Sequence, residues 1–262
     1  SKVPLSHDHK CLFIHIPRTG GTSFRKILGI DREDENGIPA YLENINGKGL
    51  LSVCNRNPEL PSNKVPRVLH KEHLCMKHIH QLSLVDNKIY SEYFKFAFVR
   101  NPWDRALSIY SNHYYIYCND FQEFVNKIKV IASFINDNFT FELEEEFYED
   151  YSRVVFNTLY NKDTDFPHKP WAGDDVIFDP QFIPQYLFTH NEYGDKLVDT
   201  IASFENYAED AALILDRLGI DHPIEKIHTS DHPPYRDVYT PEMVDIIADA
   251  YAKDIAMFGY EF

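Results

Sequence analysis

Arg18, Thr19, Gly20, Gly21, Thr22 and Ser23 follow one another directly after the apolar run KCLFIHI, Lys10 to Ile16. Paired glycines let a backbone approach a ligand closely and turn its N–H groups inward, and the flanking hydroxyls add donors. Arg18 places a permanent positive charge beside them. A buried strand, a glycine loop and the helix-like FRKIL segment, in that order, form the arrangement that receives an anion on main-chain donors. A second set of such residues stands at FVRNPWDRALSIY, Phe98 to Tyr110. Arg100 leaves the end of an apolar run, where open α/β sheets bind ligands. Ser108 falls about two turns into the following helix, on a face that can meet the same anion. Arg105 and Trp103 read more simply, as an ion-pair residue and a core aromatic.

A third group carries a different chemistry. His70, Lys71, Glu72 and His73 open a cluster that continues to His78 and His80. An imidazole with a reference pKa of about 6.5 can take a proton from an acceptor near neutral pH. A metal is the other use of such a cluster, but the His-x-x-His spacing comes without a carboxylate pattern to complete a site, and no metal is assigned. His78 and His80 read as solvated surface histidines.

The elements that must position these residues alternate. Lys10 to Ile16 reads as a buried strand, Arg67 to His70 as a short one, and Phe94 to Val99, FKFAFV, as the central strand. Val198 to Phe204 supplies a further strand. Asn101 is an N-cap and Pro102 suits a first helical turn, so a helix runs through Tyr110 and beyond. Phe121 to Ile135 has helical spacing, Tyr207 to Leu218 is a helix closed by Gly219, and Thr240-Pro241 opens a last one carrying Met243, Ile247, Ala250 and Tyr251 on one face. Asp31 to Pro66 reads as a surface excursion, Asn161 to Pro184 as irregular chain, and Glu142 to Asp150 as an acidic patch. The expected fold is α/β: a single domain over residues 1–262, with a central, mainly parallel sheet flanked by helices.

Both motifs resemble the two nucleotide-binding motifs of the sulfotransferase family 2 domain, a group that includes bacterial enzymes and relatives of the Golgi enzymes that O-sulfate heparan and dermatan chains. FIHIPRTGGTSF matches the first and FKFAFVRNPWDRALSIY the second. The resemblance continues in DTIASFEN, Asp199 to Asn206, in SDHPPYR, Ser230 to Arg236, and in the closing segment YTPEMVDIIADAYAKDIAMFGYEF. It implies a P-loop-like phosphosulfate-binding loop and a donor, 3'-phosphoadenosine 5'-phosphosulfate (PAPS), released as the 3',5'-bisphosphate PAP, with no metal required. Arg18, Thr19, Gly20, Gly21, Thr22 and Ser23 then surround the 5'-phosphosulfate, and Arg100 and Ser108 hold the 3'-phosphate. Tyr235 and Arg236 contribute further contacts. His73 matches the place from which heparan-type relatives supply a base, with His70 as the alternative. The sequence departs from the family pattern at Arg18, where the family usually has Lys, at Ser203, where Arg is common, and at His228, where Asn is common.

Composition narrows the field further. With 44% hydrophobic and 15% aromatic residues, the chain has material for a substantial core. A formal net charge of −15 argues against nucleic acid and long polyanionic glycans as partners and favours a small-molecule acceptor, neutral or cationic. No apolar run approaches the roughly 18 residues a membrane span needs. The 4 cysteines form no CxxC pair, which fits a reducing, cytoplasmic-type setting. A P-loop kinase would carry Lys after the glycines and an Asp for magnesium at the strand end. Here the cation, Arg18, precedes the glycines and the strand ends in Arg100. A non-catalytic nucleotide-binding protein is the third reading, opposed by the surviving candidate base.

Overall fold

The alternation in FKFAFV sends Phe94, Phe96 and Phe98 to one side of a strand and Ala97 and Val99 to the other, and all of them are buried. A strand apolar on both faces must lie inside a sheet covered on both sides. The computed structural model describes residues 5–29, 75–81, 85–141, 145–159, 171–172, 175–176, 179–224 and 232–262. Within them, β1 (Leu5–Ser6), β2 (Cys11–Ile14), β3 (Phe94–Val99) and β6 (Thr200–Ser203) form one sheet in the order β1-β2-β3-β6. β2, β3 and β6 are mutually parallel, and β1 is an antiparallel edge on β2.

The two faces are chemically different. On one, Phe13 stacks on Phe96 with centroids 5.0 Å apart, and Phe24 meets both Phe96 and Phe98 edge-on or tilted. Two helices cover this aromatic face: α1 (Gly21–Ile27), through Phe24, and α8 (Tyr207–Leu218), through Tyr207, Ala211, Ile214 and Leu215. The other face, with Leu12, Ile14, Ala97 and Val99, packs on a larger helical layer. That layer contains α4 (Pro102–Asn112), α5 (Phe121–Asn138), α6 (Glu145–Leu159) and α10 (Pro241–Ala250). Smaller elements complete the eleven helices seen among the described residues: α2 (Met76–Gln81), α3 (Asn87–Glu92), α7 (Tyr186–Thr189), α9 (Tyr235–Val238) and α11 (Ala252–Phe258).

The expected caps are present. Asn101 accepts from the N–H groups of Trp103 (2.9 Å) and Asp104 (3.3 Å), and Thr240 accepts from that of Met243 (3.3 Å). Gly219 closes α8 in the left-handed region at φ 68°. Some readings are corrected. The stretch from Asn161 to Pro184 is not wholly irregular: Trp171–Ala172 (β4) and Asp175–Val176 (β5) pair antiparallel, and Phe182 and Ile183 enter the core. His78 is no surface residue. It lies on α2 at 3% exposure, and burial aided by Lys77 pushes its imidazole down to about 4. Its neighbour His80 is exposed and stacks on Tyr90. The expected strand Arg67 to His70 lies outside the described residues. No helix among the described residues is long and apolar enough to cross a membrane.

Candidate functional site: an arginine cluster at the glycine loop

The loop after β2 is built from underneath. Thr19 is fully buried and turns its hydroxyl back to donate to the Ile16 carbonyl at 2.8 Å. Arg18 at φ 64° and Gly20 at φ 87° both sit in the left-handed region, so the chain winds tightly into α1. Two left-handed residues so close together turn successive main-chain N–H groups toward one concavity. Gly21 is demanded by packing. A Cβ there would lie 2.2 Å from His15 Cδ2 and 2.8 Å from Phe13 Cζ. Beyond the glycines, Thr22 is exposed and Ser23 half-buried.

Three guanidiniums gather at this loop. Arg18 donates from Nε and Nη2 to Ser108 Oγ at 3.0 and 2.9 Å. Ser108 belongs to α4 and is fully buried, so this fork joins the first motif to the second. Arg100, 4% exposed, donates from Nη1 to the Arg18 carbonyl at 3.2 Å, and its guanidinium lies 3.9 Å over the Phe204 ring. Arg105, expected as an ion-pair residue, forms no ion pair among the described residues. It is buried under the loop, with Nε on the Pro17 carbonyl at 3.0 Å and Nη1 reaching the Ile183 carbonyl at 3.5 Å. Its Nη2 has no hydrogen-bond partner among the described residues.

The electrostatics follow from this crowding. Burial, then the charges of Arg100 and Arg105, hold the Arg18 guanidinium below its ordinary value. Asp104 relieves Arg100, accepting from its Nε at 2.7 Å. Among the described residues no carboxylate pairs with Arg18. A chain of net charge −15 has thus gathered three guanidiniums at one loop, with a carboxylate on Arg100 and none on Arg18 among the described residues, an arrangement that an incoming anion stabilises.

Arg100 is held on several sides. Gln185 accepts from its N–H at 2.8 Å and donates to its carbonyl at 2.7 Å. Glu205 accepts from the next N–H, that of Asn101, at 2.5 Å. Tyr235 reaches the same corner, its hydroxyl accepting from Asn101 Nδ2 at 3.3 Å. Arg236 is exposed, its guanidinium over the rings of Tyr235 and Phe262, and among the described residues no hydrogen bond ties it to the loop. The structure thereby brings together Arg18, Ser108 and Arg100 at the glycine loop, with Tyr235 nearby. Both candidate bases, His70 and His73, lie outside the described residues.

This site stands at the C-terminal ends of parallel strands and matches what one family builds there. The model of the sulfotransferase family matches residues 2–261. The chain belongs to the sulfotransferase family. Sulfotransfer is the activity this membership supports, and the α/β sheet with its glycine loop is consistent with that fold. No curated protein and no solved structure matches the chain. Among the described residues, no group of three or more His, Cys, Asp and Glu is placed to hold a metal ion.

Sequence reasoning missed several residues of this sulfotransferase site. Gln185 carries no local signal, because its role depends on a side chain reaching across the fold. Glu205 had a weak one, standing directly after a strand beside Phe204. Arg105 was assigned the wrong partner type. Asp254 was legible in principle: a carboxylate in an otherwise amphipathic closing helix, yet fully buried.

Proposed function

We propose that this sulfotransferase takes the sulfuryl group from PAPS and places it on a hydroxyl or amine of a small acceptor by in-line displacement. The observation that carries the proposal is the convergence of Arg18, Arg100 and Arg105 on a loop with two left-handed residues, with no carboxylate for Arg18 among the described residues. That charge suits a ligand with anionic groups at two ends. Arg18, the loop from Thr19 to Ser23 and the loop amides would hold the 5'-phosphosulfate. Arg100 and Ser108 would hold the 3'-phosphate, with Tyr235 and Arg236 at the edge of the nucleotide.

In the reaction, His73 draws the acceptor proton, with His70 the alternative base. A bond forms between the acceptor oxygen or nitrogen and sulfur. The bond from sulfur to the bridging phosphate oxygen breaks, and its electron pair leaves on PAP. Arg18 and the loop amides stabilise charge on the sulfuryl oxygens and departing phosphate, as fixed donors do in phosphoryl transfer. The net charge of −15 disfavours a polyanionic glycan acceptor and supports a neutral or cationic small molecule.

Calorimetry of PAP beside adenosine 5'-phosphate (AMP), without added metal, tests the donor assignment. PAP should bind far more tightly. Arg100→Ala should weaken PAP by about 1.5–3 kcal/mol, the range of a lost hydrogen bond to a charged group, and leave AMP nearly unchanged. Equal affinities for the two nucleotides would remove the assignment. Labelled PAPS with a panel of alcohols, amines and desulfated heparan then tests the acceptor; activity on heparan alone would reverse that part.

A further inference from the structure

Arg100 stands where two hydrogen-bonding systems end. The last pair of the β3–β6 ladder is Val99 with Ser203, and α4 starts only at Pro102. A buried residue in such a gap needs partners for its main-chain N–H and C=O from elsewhere. Gln185 provides both through one side chain, Oε1 for the N–H at 2.8 Å and Nε2 for the carbonyl at 2.7 Å. A side-chain amide used this way imitates an adjacent strand, and it fixes Arg100 only if Gln185 is itself fixed.

That condition is met from the far end of the chain. Asp254, on α11, is fully buried. Its Oδ2 accepts from the Gln185 N–H and its Oδ1 from the Tyr186 N–H, each at 2.8 Å. Both carboxylate oxygens are thus used on the two residues that open α7. We infer that Asp254 is a positioning residue for 3'-phosphate recognition, acting through Gln185 to hold Arg100 in register with the nucleotide. The inference rests on the reading that Arg100 holds the 3'-phosphate.

Its burial argues for a geometric task. Desolvation pushes the Asp254 carboxyl up to about 6, against the opposing pull of the two N–H groups and of Arg105. A buried carboxylate is a weak source of stability compared with well-packed apolar residues. What it supplies here is direction: two bonds that orient one backbone, whose side chain then makes two more to Arg100.

The test compares parent, Asp254→Asn, Gln185→Met and Arg100→Ala by calorimetry with PAP and with AMP, alongside thermal melting. Asp254→Asn keeps the shape but turns an amide N–H₂ toward a backbone donor, and Gln185→Met keeps the length but removes both bonds to Arg100. Each should weaken PAP about tenfold, the effect of one to two net hydrogen bonds, while AMP affinity stays within about twofold. A purely structural role would lower melting temperature and weaken both nucleotides in proportion. Proportional weakening, or no change for PAP, in the variants that fold overturns the inference; Gln185→Met decides alone if Asp254→Asn does not fold. If Arg100→Ala itself leaves the ratio of PAP to AMP affinity unaltered, the nucleotide assignment is what fails. If Arg100→Ala removes that preference and the other two variants keep it, only the Asp254–Gln185 relay is wrong.

Discussion

Gly21→Ala isolates the packing beneath the loop from the chemistry above it. The substitution would ordinarily help, since Gly costs a helix up to about 1 kcal/mol relative to Ala. Here the new Cβ would stand 2.2 Å from His15 Cδ2 and 2.4 Å from Nε2. The ring must therefore withdraw by more than an ångström to reach ordinary contact. It cannot do so cheaply. His15 is 4% exposed and stacks on Phe13 at 5.3 Å, and Phe13 stacks in turn on Phe96. Any withdrawal is passed into the aromatic face of the sheet, the overpacking case that costs about 1–3 kcal/mol. The net expectation is a loss of about 1 kcal/mol, a fall of roughly 2–4 °C in melting temperature for a chain of this size. Differential scanning calorimetry of Gly21→Ala, His15→Ala and the double variant provides the cycle. With the ring removed the two shortest approaches disappear and only that to Phe13 Cζ, at 2.8 Å, remains, so the double variant should recover at least about 1 kcal/mol relative to additivity. A Gly21→Ala protein that melts at or above the parent temperature, or strict additivity in the cycle, would refute the steric argument.

Three further outcomes are expected. Arg18→Ala should reduce turnover by about 10²–10³-fold, with a smaller loss of PAP affinity, whereas Arg18→Lys should retain substantial activity; unchanged turnover in the alanine variant would exclude a catalytic part for Arg18. His73→Asn should lower turnover by about 10²–10⁴-fold with folding and PAP affinity preserved, and His70→Asn should be milder; the opposite order would make His70 the base. His78, held down to about 4 from an ordinary 6.5, contributes stability that is present above pH 6.5 and lost as pH falls toward 4. Between pH 7.5 and 5 that amounts to about 2 kcal/mol in urea unfolding. The Asp254 carboxyl, raised to about 6, acts in the opposite direction over this range, so the His78 share is the difference in pH dependence between the parent and His78→Phe. Identical pH dependence in the two proteins would contradict it.

What was legible in the sequence is what local chemistry determines. FKFAFV declared itself a two-sided strand because every position is apolar or packed, and its observed limits, Phe94–Val99, coincide with the reading. Asn101 and Pro102, Thr240 and Pro241, and Gly219 mark helix ends by steric and hydrogen-bonding rules that operate within a few residues. The glycine loop was visible for the same reason. The surroundings of Arg100 were not: Gln185 bonds it, Glu205 bonds its neighbour Asn101 and Asp254 holds Gln185, all from remote parts of the chain, and nothing in their neighbours announces the contacts. Ser6 pairing with Cys11 was also hidden, because a short polar start offers no alternation to read. His78 was misjudged because His-rich context suggests solvent, whereas the helix it shares with Met76 and Ile79 turns inward.

The long reach of the contacts around Arg100 has a consequence for how the protein comes into being. Gln185 bonds it across 85 positions of chain, and Asn101 meets Glu205 across 104 and the Glu261 carbonyl across 160. Closing such loops is entropically expensive and slow compared with forming a local turn or helix. A ribosome-bound chain ending before Gln185 already contains the glycine loop, β3, α4 and one side chain on the arginine, that of Asp104, but still lacks Gln185, Glu205 and Asp254. The setting of Arg100 is therefore completed late in synthesis, with the closing helices. The N-terminal motif is thus complete in sequence well before the contacts that hold its arginine are complete in structure.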